Sequence, residues 1–274
     1  MSRPVWFVRL VEKTFPGRFL LAQATKLPLL GALVDRWLFW GDDLIYLPKD
    51  QVIPVNQSIN SPGEMVLPSL VVEHFIREAS TRWIMDACIC RAASNCEDYP
   101  IDLGCLFLGQ AAAGINPRLG RLVTEEEALD HVQRCREVGL VHLVGRNKLD
   151  QVWLGVGPGD RLLTICNCCP CCCLWRVLPS ISSHIGAKVT RMPGLTVAVS
   201  DRCVGCGTCA RGVCFTDAVR LMDDRAVIGD GCRGCGRCVE VCPQGAIELS
   251  LETVSSVKQS IARIHSLVDL SRET

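Results

Sequence analysis

From Cys232 to Pro243 the chain reads CRGCGRCVEVCP: three cysteines at two-residue gaps, a fourth after three more residues, then proline. Gaps of two let three thiolates wrap one side of a thiophilic metal centre, and Gly234 and Gly236 let the backbone approach it. A run beginning at Cys203, CVGCGTCARGVCF, repeats the pattern through Cys206 and Cys209, with one extra residue before Cys214 and Phe215 in place of proline. Structural zinc commonly draws its ligands from two C-x2-C pairs, whereas each of these runs is a triplet trailed by a fourth cysteine. Disulfides fit poorly. The cysteines number 19, and the loop ICNCCPCCCLW sets six of them in eight positions, where neighbours cannot easily meet the spacing and dihedral of a disulfide.

With 274 residues, 49% of them hydrophobic, the chain can bury a real core, yet only 5% are aromatic, so metal centres are expected to organise part of the interior. Lys and Arg balance Asp and Glu at 29 each, which leaves no basic footprint for a nucleic acid. The N-terminus lacks the basic start, apolar run and cleavage site of a secretory signal, so the thiols are expected in the reducing cytoplasm. The longest clean apolar run, Leu27 to Val34, is broken by Pro28 and closed by Asp35, far short of the ~20 residues of a membrane span. Residues 15–48, carrying Trp37, Phe39 and Trp40, read as a buried amphipathic helix pair, with peripheral attachment to a membrane or a partner protein as the alternative. Farther on, PSLVVEHFIREASTRWIMD reads as one helix from Ser69, with Val71, Phe75, Ile76 and Ala79 on one face and Cys88 at its end. His74 on that helix reads as packed or solvated.

The 203–242 segment resembles bacterial two-cluster ferredoxins. In that family the fourth cysteine of each run completes the other cluster. Carried over, the resemblance implies one [4Fe-4S] cluster on Cys203, Cys206, Cys209 and Cys242, and a second on Cys232, Cys235, Cys238 and Cys214. The flanks LTVAVS and AIELSL alternate like strands, AVRLMDDRAVI reads as a hairpin turning at Asp223-Asp224, and short helices are expected after each triplet.

Ten further cysteines lie upstream: Cys88, Cys90, Cys96 and Cys105, then Cys166, Cys168, Cys169, Cys171, Cys172 and Cys173. All ten are read as cofactor-binding, with Cys88, Cys90, Cys96, Cys105, Cys166, Cys168, Cys169 and Cys172 as metal ligands, and the two sets are expected to fold into one composite site. Soft ions such as zinc or copper are the competing occupants. Arg91, beside Cys90, reads equally as an ion-pair residue or as a fixed cation that offsets the charge of a thiolate-bound cluster. Cys135 lies in a helical pattern and reads as a core side chain. Between the sets, TEEEALDHVQRCREVGL begins with a capping box at Thr124 and Glu127 and ends at Gly139, and LVHLVG and QVWLGV read as a hairpin around RNKLD. Such a helix with a two-stranded wing is winged-helix-like. GVGPGD at 155–160 is not G-x-G-x-x-G, and Pro158 marks it as a turn.

The upstream C-x-C-R and C-x-C-C-x-C-C-C motifs, followed by the two-cluster segment, resemble multi-cluster 4Fe-4S proteins of anaerobic bacteria and archaea over about residues 85–250. The resemblance implies one or two further iron–sulfur clusters upstream. A crowded, irregular cluster on adjacent cysteines would be similar to those of heterodisulfide-reductase-type subunits.

The expected architecture is α+β: a mainly helical region at 1–84, a cysteine-rich α/β domain with the winged-helix-like unit at 85–194, a ferredoxin-like domain at 195–251 and a C-terminal helix at 252–274. The expected role is an electron-transfer protein or redox subunit serving donor and acceptor oxidoreductases, without nucleic acid as a partner. Two alternatives stand beside it: a reductase whose upstream cluster is the active site, and an iron–sulfur redox sensor.

Overall fold

Alternating apolar residues from distant stretches of this chain build one large sheet, buried on both faces by helices. In the computed structural model, which describes residues 2–49, 53–54, 65–66, 68–252 and 255–271, the chain opens with helices α1 (Val5–Thr14), α2 (Arg18–Ala24) and α3 (Pro28–Val34) and strand β1 (Asp43–Tyr46). Strands β2 (Ile53–Pro54) and β3 (Met65–Val66) pair with each other and precede α4 (Ser69–Glu78), β4 (Arg82–Met85), α5 (Ile89–Ala93), β5 (Leu106–Leu108) and β6 (Gly120–Leu122). Next come α6 (Glu125–Glu137), β7 (Val141–Arg146), α7 (Lys148–Leu154), β8 (Leu163–Cys168), α8 (Ser183–Gly186) and β9 (Val189–Arg191). The last stretch holds β10 (Leu195–Val199), β11 (Val219–Met222), β12 (Arg225–Ile228), α9 (Arg237–Glu240), β13 (Ile247–Leu251) and α10 (Ser256–His265). The fold is α+β.

Seven strands form the main sheet in the order β6-β4-β5-β8-β7-β1-β9, antiparallel at each pairing except β1 with β9. The period-2 alternation of a strand sends successive side chains to opposite faces. Ile84, Leu106, Leu108 and Val144 thus join α4, α6 and α10 in one core. Trp83, Met85 and Phe107 point the other way, toward Val8 of α1 and Trp153 and Leu154 of α7, while Leu143 joins Leu44, Tyr46 and Trp175.

Two local expectations are corrected. QVWLGV does not return as a wing, so no winged-helix-like unit forms. Lys148–Leu154 is helix α7, because Leu149, Trp153 and Leu154 fall at helical spacing onto buried surface. Gly155 at φ +67° closes it, and β7 pairs with β8 instead. The helix from Ser69 stops at Glu78, where Ala79 turns extended, and Arg82–Met85 enters the sheet as β4. Cys88 therefore follows a strand.

The segment before residue 85 contributes β1 and β4 to the sheet as well as its helices. Its apolar residues are only partly covered: Leu29 is 90% exposed, and Trp6, Trp37 and Trp40 are each more than half exposed. No helix among the described residues is long and apolar enough to cross a membrane.

Candidate metal centres

The two triplet runs fold as a repeat. Gly205 and Gly234 take φ of +66° and +65°, and Gly207 and Gly236 take +76° and +83°, left-handed conformations open to glycine. At Gly205 a Cβ would lie 2.3 Å from the Asp224 carbonyl oxygen. Each fourth cysteine accepts a backbone N–H from four residues on, Ala218 to Cys214 at 3.3 Å and Ala246 to Cys242 at 3.2 Å. The hairpin turns at Asp223 and Asp224, both left-handed, and brings the Ala226 N–H to Cys203 Sγ at 3.4 Å. The extra residue before Cys214 is taken up beside Gly212, which sits at φ +71° in open space.

Spatial grouping crosses the sequence order. Cys203, Cys206 and Cys209 line one cavity together with Cys242, and Cys232, Cys235 and Cys238 line another with Cys214. N–H donors aimed at the sulfurs favour electron-rich thiolates and tune the potential of what they bind.

Upstream, strand β8 sets Cys166 and Cys168 two residues apart on one face. The register that pairs Leu106 with Ile165 places Cys105 opposite Cys166, and their thiols meet. Cys168 reaches Cys166 and Cys173, the Tyr46 hydroxyl lies 3.5 Å from Cys173 Sγ, and Cys88 at the start of α5 interacts with Cys90. Cys90 feels the charge of Cys105 and Cys173, and Cys88 that of Cys168, which joins these six thiols into one group. The other four, Cys96, Cys169, Cys171 and Cys172, have sulfurs all within 4.8 Å of one another. The two sequence sets are thus brought together, but as two groups, because adjacent cysteines point apart: Cys168 and Cys173 join the six, Cys169 and Cys172 the four. Cys135 is buried beside the four with Leu103 and Leu140.

The charges around these thiols are unusual. Arg91 is 0% exposed. Its Nη1 donates to the Asn167 carbonyl at 2.8 Å and its Nη2 to that of Leu103, its Nε has no partner, and no carboxylate pairs with it among the described residues. Burial would pull this guanidinium down, but the fields of Cys88, Cys169, Cys105 and Cys168 raise it. Arg237 on α9 is also buried; it donates to the Cys168 carbonyl and leaves Nε and Nη1 unpaired. Hydrogen bonds from Cys166 and Cys173 hold the Cys168 thiol well below the usual range, and one from Cys90 lowers Cys88 to about 7. His142 is kept neutral, its pKa pushed down to about 4 by burial, with Nδ1 2.9 Å from Asn167 Oδ1. Buried cations with idle donors beside a mass of thiols fit an anionic, thiolate-bound group.

Residues 226–248 match the 4Fe-4S binding domain family. The chain is an iron–sulfur protein. The matched residues hold the whole second cysteine run, from Cys232 to Cys242. No curated protein and no solved structure matches the chain.

Arg237, Tyr46 and His142 escaped the sequence reading. Arg237 fills an x2 gap that tolerates any residue, Tyr46 lies in the stretch read as a helix pair, and His142 lies in an ordinary strand pattern.

Proposed function

We propose that this protein relays electrons between a redox-protein donor and an acceptor oxidoreductase. Two [4Fe-4S] clusters occupy the cavities of the 195–251 segment, one held by Cys203, Cys206, Cys209 and Cys242, the other by Cys232, Cys235, Cys238 and Cys214. The six-thiol group holds a further iron–sulfur cluster; six thiols exceed the four of a cubane, so that cluster is irregular. Bound clusters supply reversible one-electron chemistry, and the protein supplies thiolates, N–H donors and buried cations.

The observation that carries this reading is the junction between the ferredoxin segment and the upstream thiols. Arg237, two residues beyond Cys235, donates to the Cys168 carbonyl, and the Lys49 N–H donates to the Cys235 carbonyl at 3.1 Å. Phe215, next to Cys214, packs against Tyr46 with ring centroids 4.8 Å apart, and Tyr46 reaches Cys173. Cys206, by contrast, is exposed. Electrons enter at the Cys203 cavity, pass to the Cys232 cavity and end at the six-thiol group. The exposed Trp40, with Arg36 and Lys148 beside it, docks the acceptor protein.

One observation favours a reductase instead: the buried Tyr46 hydroxyl beside Cys173 could give a proton to a substrate reduced there. The test is to reduce the anaerobically purified chain chemically and offer it candidate redox proteins and small acceptors separately. Oxidation by a protein partner alone supports the relay, and repeated turnover of a small acceptor by the isolated chain would replace it with the reductase.

A further inference from the structure

The four-thiol group differs in kind from the other cysteine sites. Its sulfurs all lie within 4.8 Å of one another, with Cys96–Cys171 and Cys171–Cys172 each at 3.6 Å. Four sulfurs arranged tetrahedrally at ~2.3 Å around a zinc ion stand ~3.8 Å apart. A cubane holds its thiolates farther apart, since each binds a different iron corner. The same structure provides the comparison: neither ferredoxin cavity brings even three of its thiols within that 4.8 Å limit, and nor does the six-thiol group.

The surroundings suit a closed site. The Cys172 N–H donates to Cys169 Sγ at 3.3 Å, Arg176 Nη1 donates to the Cys171 carbonyl at 2.7 Å, and Leu103, Leu140, Cys135 and Tyr99 pack around the group. We infer that Cys96, Cys169, Cys171 and Cys172 hold a single tetrahedral zinc ion rather than a cluster, an assignment that rests on reading the neighbouring sites as iron–sulfur. Four thiolates leave zinc no open position, which makes the site structural. It staples the end of α5 to the 169–172 loop and so fixes Cys168 and Cys173, which flank that loop and belong to the six-thiol group. Electrons bypass it.

The test counts zinc, iron and acid-labile sulfide in the anaerobically purified full chain and records zinc-edge X-ray absorption. The expected result is about one zinc per chain on four sulfurs at ~2.3 Å, beside any zinc on nitrogen and oxygen ligands, lost in Cys96→Ser while the iron and sulfide of the Cys203 and Cys232 cavities are retained. Should that variant fail to fold, the wild-type zinc edge decides alone. Wild-type protein without a zinc–sulfur shell, or a folded Cys96→Ser protein that keeps that shell intact, overturns the inference. A single iron in the same four-sulfur shell overturns zinc. Failure of the iron–sulfur reading itself would register separately, as wild-type protein without labile sulfide.

A second site rests on a separate observation. His74 Nε2, His265 Nε2 and Glu78 Oε2 form a nearly equilateral triangle with sides of 3.2, 3.1 and 3.0 Å. Two hydrogen bonds onto that one oxygen would meet at about 60°, too acute for separate lone-pair directions. A divalent ion at ~2.0–2.1 Å from two imidazoles and a carboxylate draws its ligands into a triangle of side ~3.3 Å. The geometry points to a His2Glu zinc site pinning α10 to α4, where the sequence reading left His74 packed or solvated. With zinc at a hundred times its Kd, amide exchange across α10 of the cluster-loaded full chain should slow by up to about 100-fold. Glu78→Gln and His265→Ala should each abolish that slowing. No slowing in the wild type, or slowing that persists in both variants, overturns the site.

Discussion

Arg91→Met keeps the unbranched apolar stem of a fully buried side chain while deleting its charge and its hydrogen bonds to the carbonyls of Asn167 and Leu103. Each charge-assisted bond contributes ~1.5–3 kcal/mol, but the desolvation cost of the guanidinium, several kcal/mol, disappears with them. The two effects nearly offset, so the variant should fold. Its redox effect does not cancel. A unit charge ~6 Å from the electron it stabilises, at an effective dielectric of ~20, contributes ~3 kcal/mol. At ~59 mV per 1.4 kcal/mol for one electron, and with up to about half lost to relaxation, the upstream cluster should fall by ~60–120 mV. The sign follows from the charge, because removing a cation makes reduction harder. EPR-monitored redox titration of the anaerobic protein measures it, with the ferredoxin-segment signals as internal references that should stay in place. A folded, cluster-loaded Arg91→Met protein with an unchanged upstream potential would refute the electrostatic role and leave Arg91 as a brace between two carbonyls.

Cys242→Ser should damage the cluster held by Cys203, Cys206 and Cys209 and spare the other, removing roughly half of the segment's iron; EPR showing loss of only the Cys232 cluster would overturn the crossed assignment. Phe107→Ala empties a fully buried site on β5 and should cost ~3–5 kcal/mol in urea unfolding. Burial raises Asp42 to about 7 from 3.8, so the folded state binds the extra proton. Its stabilisation is full below the unfolded value and declines by ~1.4 kcal/mol per pH unit up to about pH 7. Asp42→Asn should flatten that segment of the stability–pH curve, and an unaltered slope would show that Asp42 is ionised in the fold.

What the sequence by itself determined is local. The grouping of eight cysteines around two cavities was legible because all eight lie between residues 203 and 242, where bonded geometry and left-handed glycines leave few ways to point three thiols inward. The same holds for the turn at Asp223-Asp224 and the Thr124–Glu127 capping box, in which both reciprocal hydrogen bonds form. Tertiary structure decided the rest. QVWLGV alternates acceptably as a strand, and only the buried surface waiting for Leu149, Trp153 and Leu154 made it a helix. The pairing of β1 with β7 and β9 joins residues far apart in the chain, which local periodicity does not encode. The sequence led to one composite site for the ten upstream thiols, whereas the antiparallel register of β5 and β8 set Cys105 against Cys166, and the end of α5 delivered Cys96 to Cys171. Ligand sets assembled across such distances are fixed by strand register and helix placement, so the division of ten thiols into six and four could be read only from the folded chain.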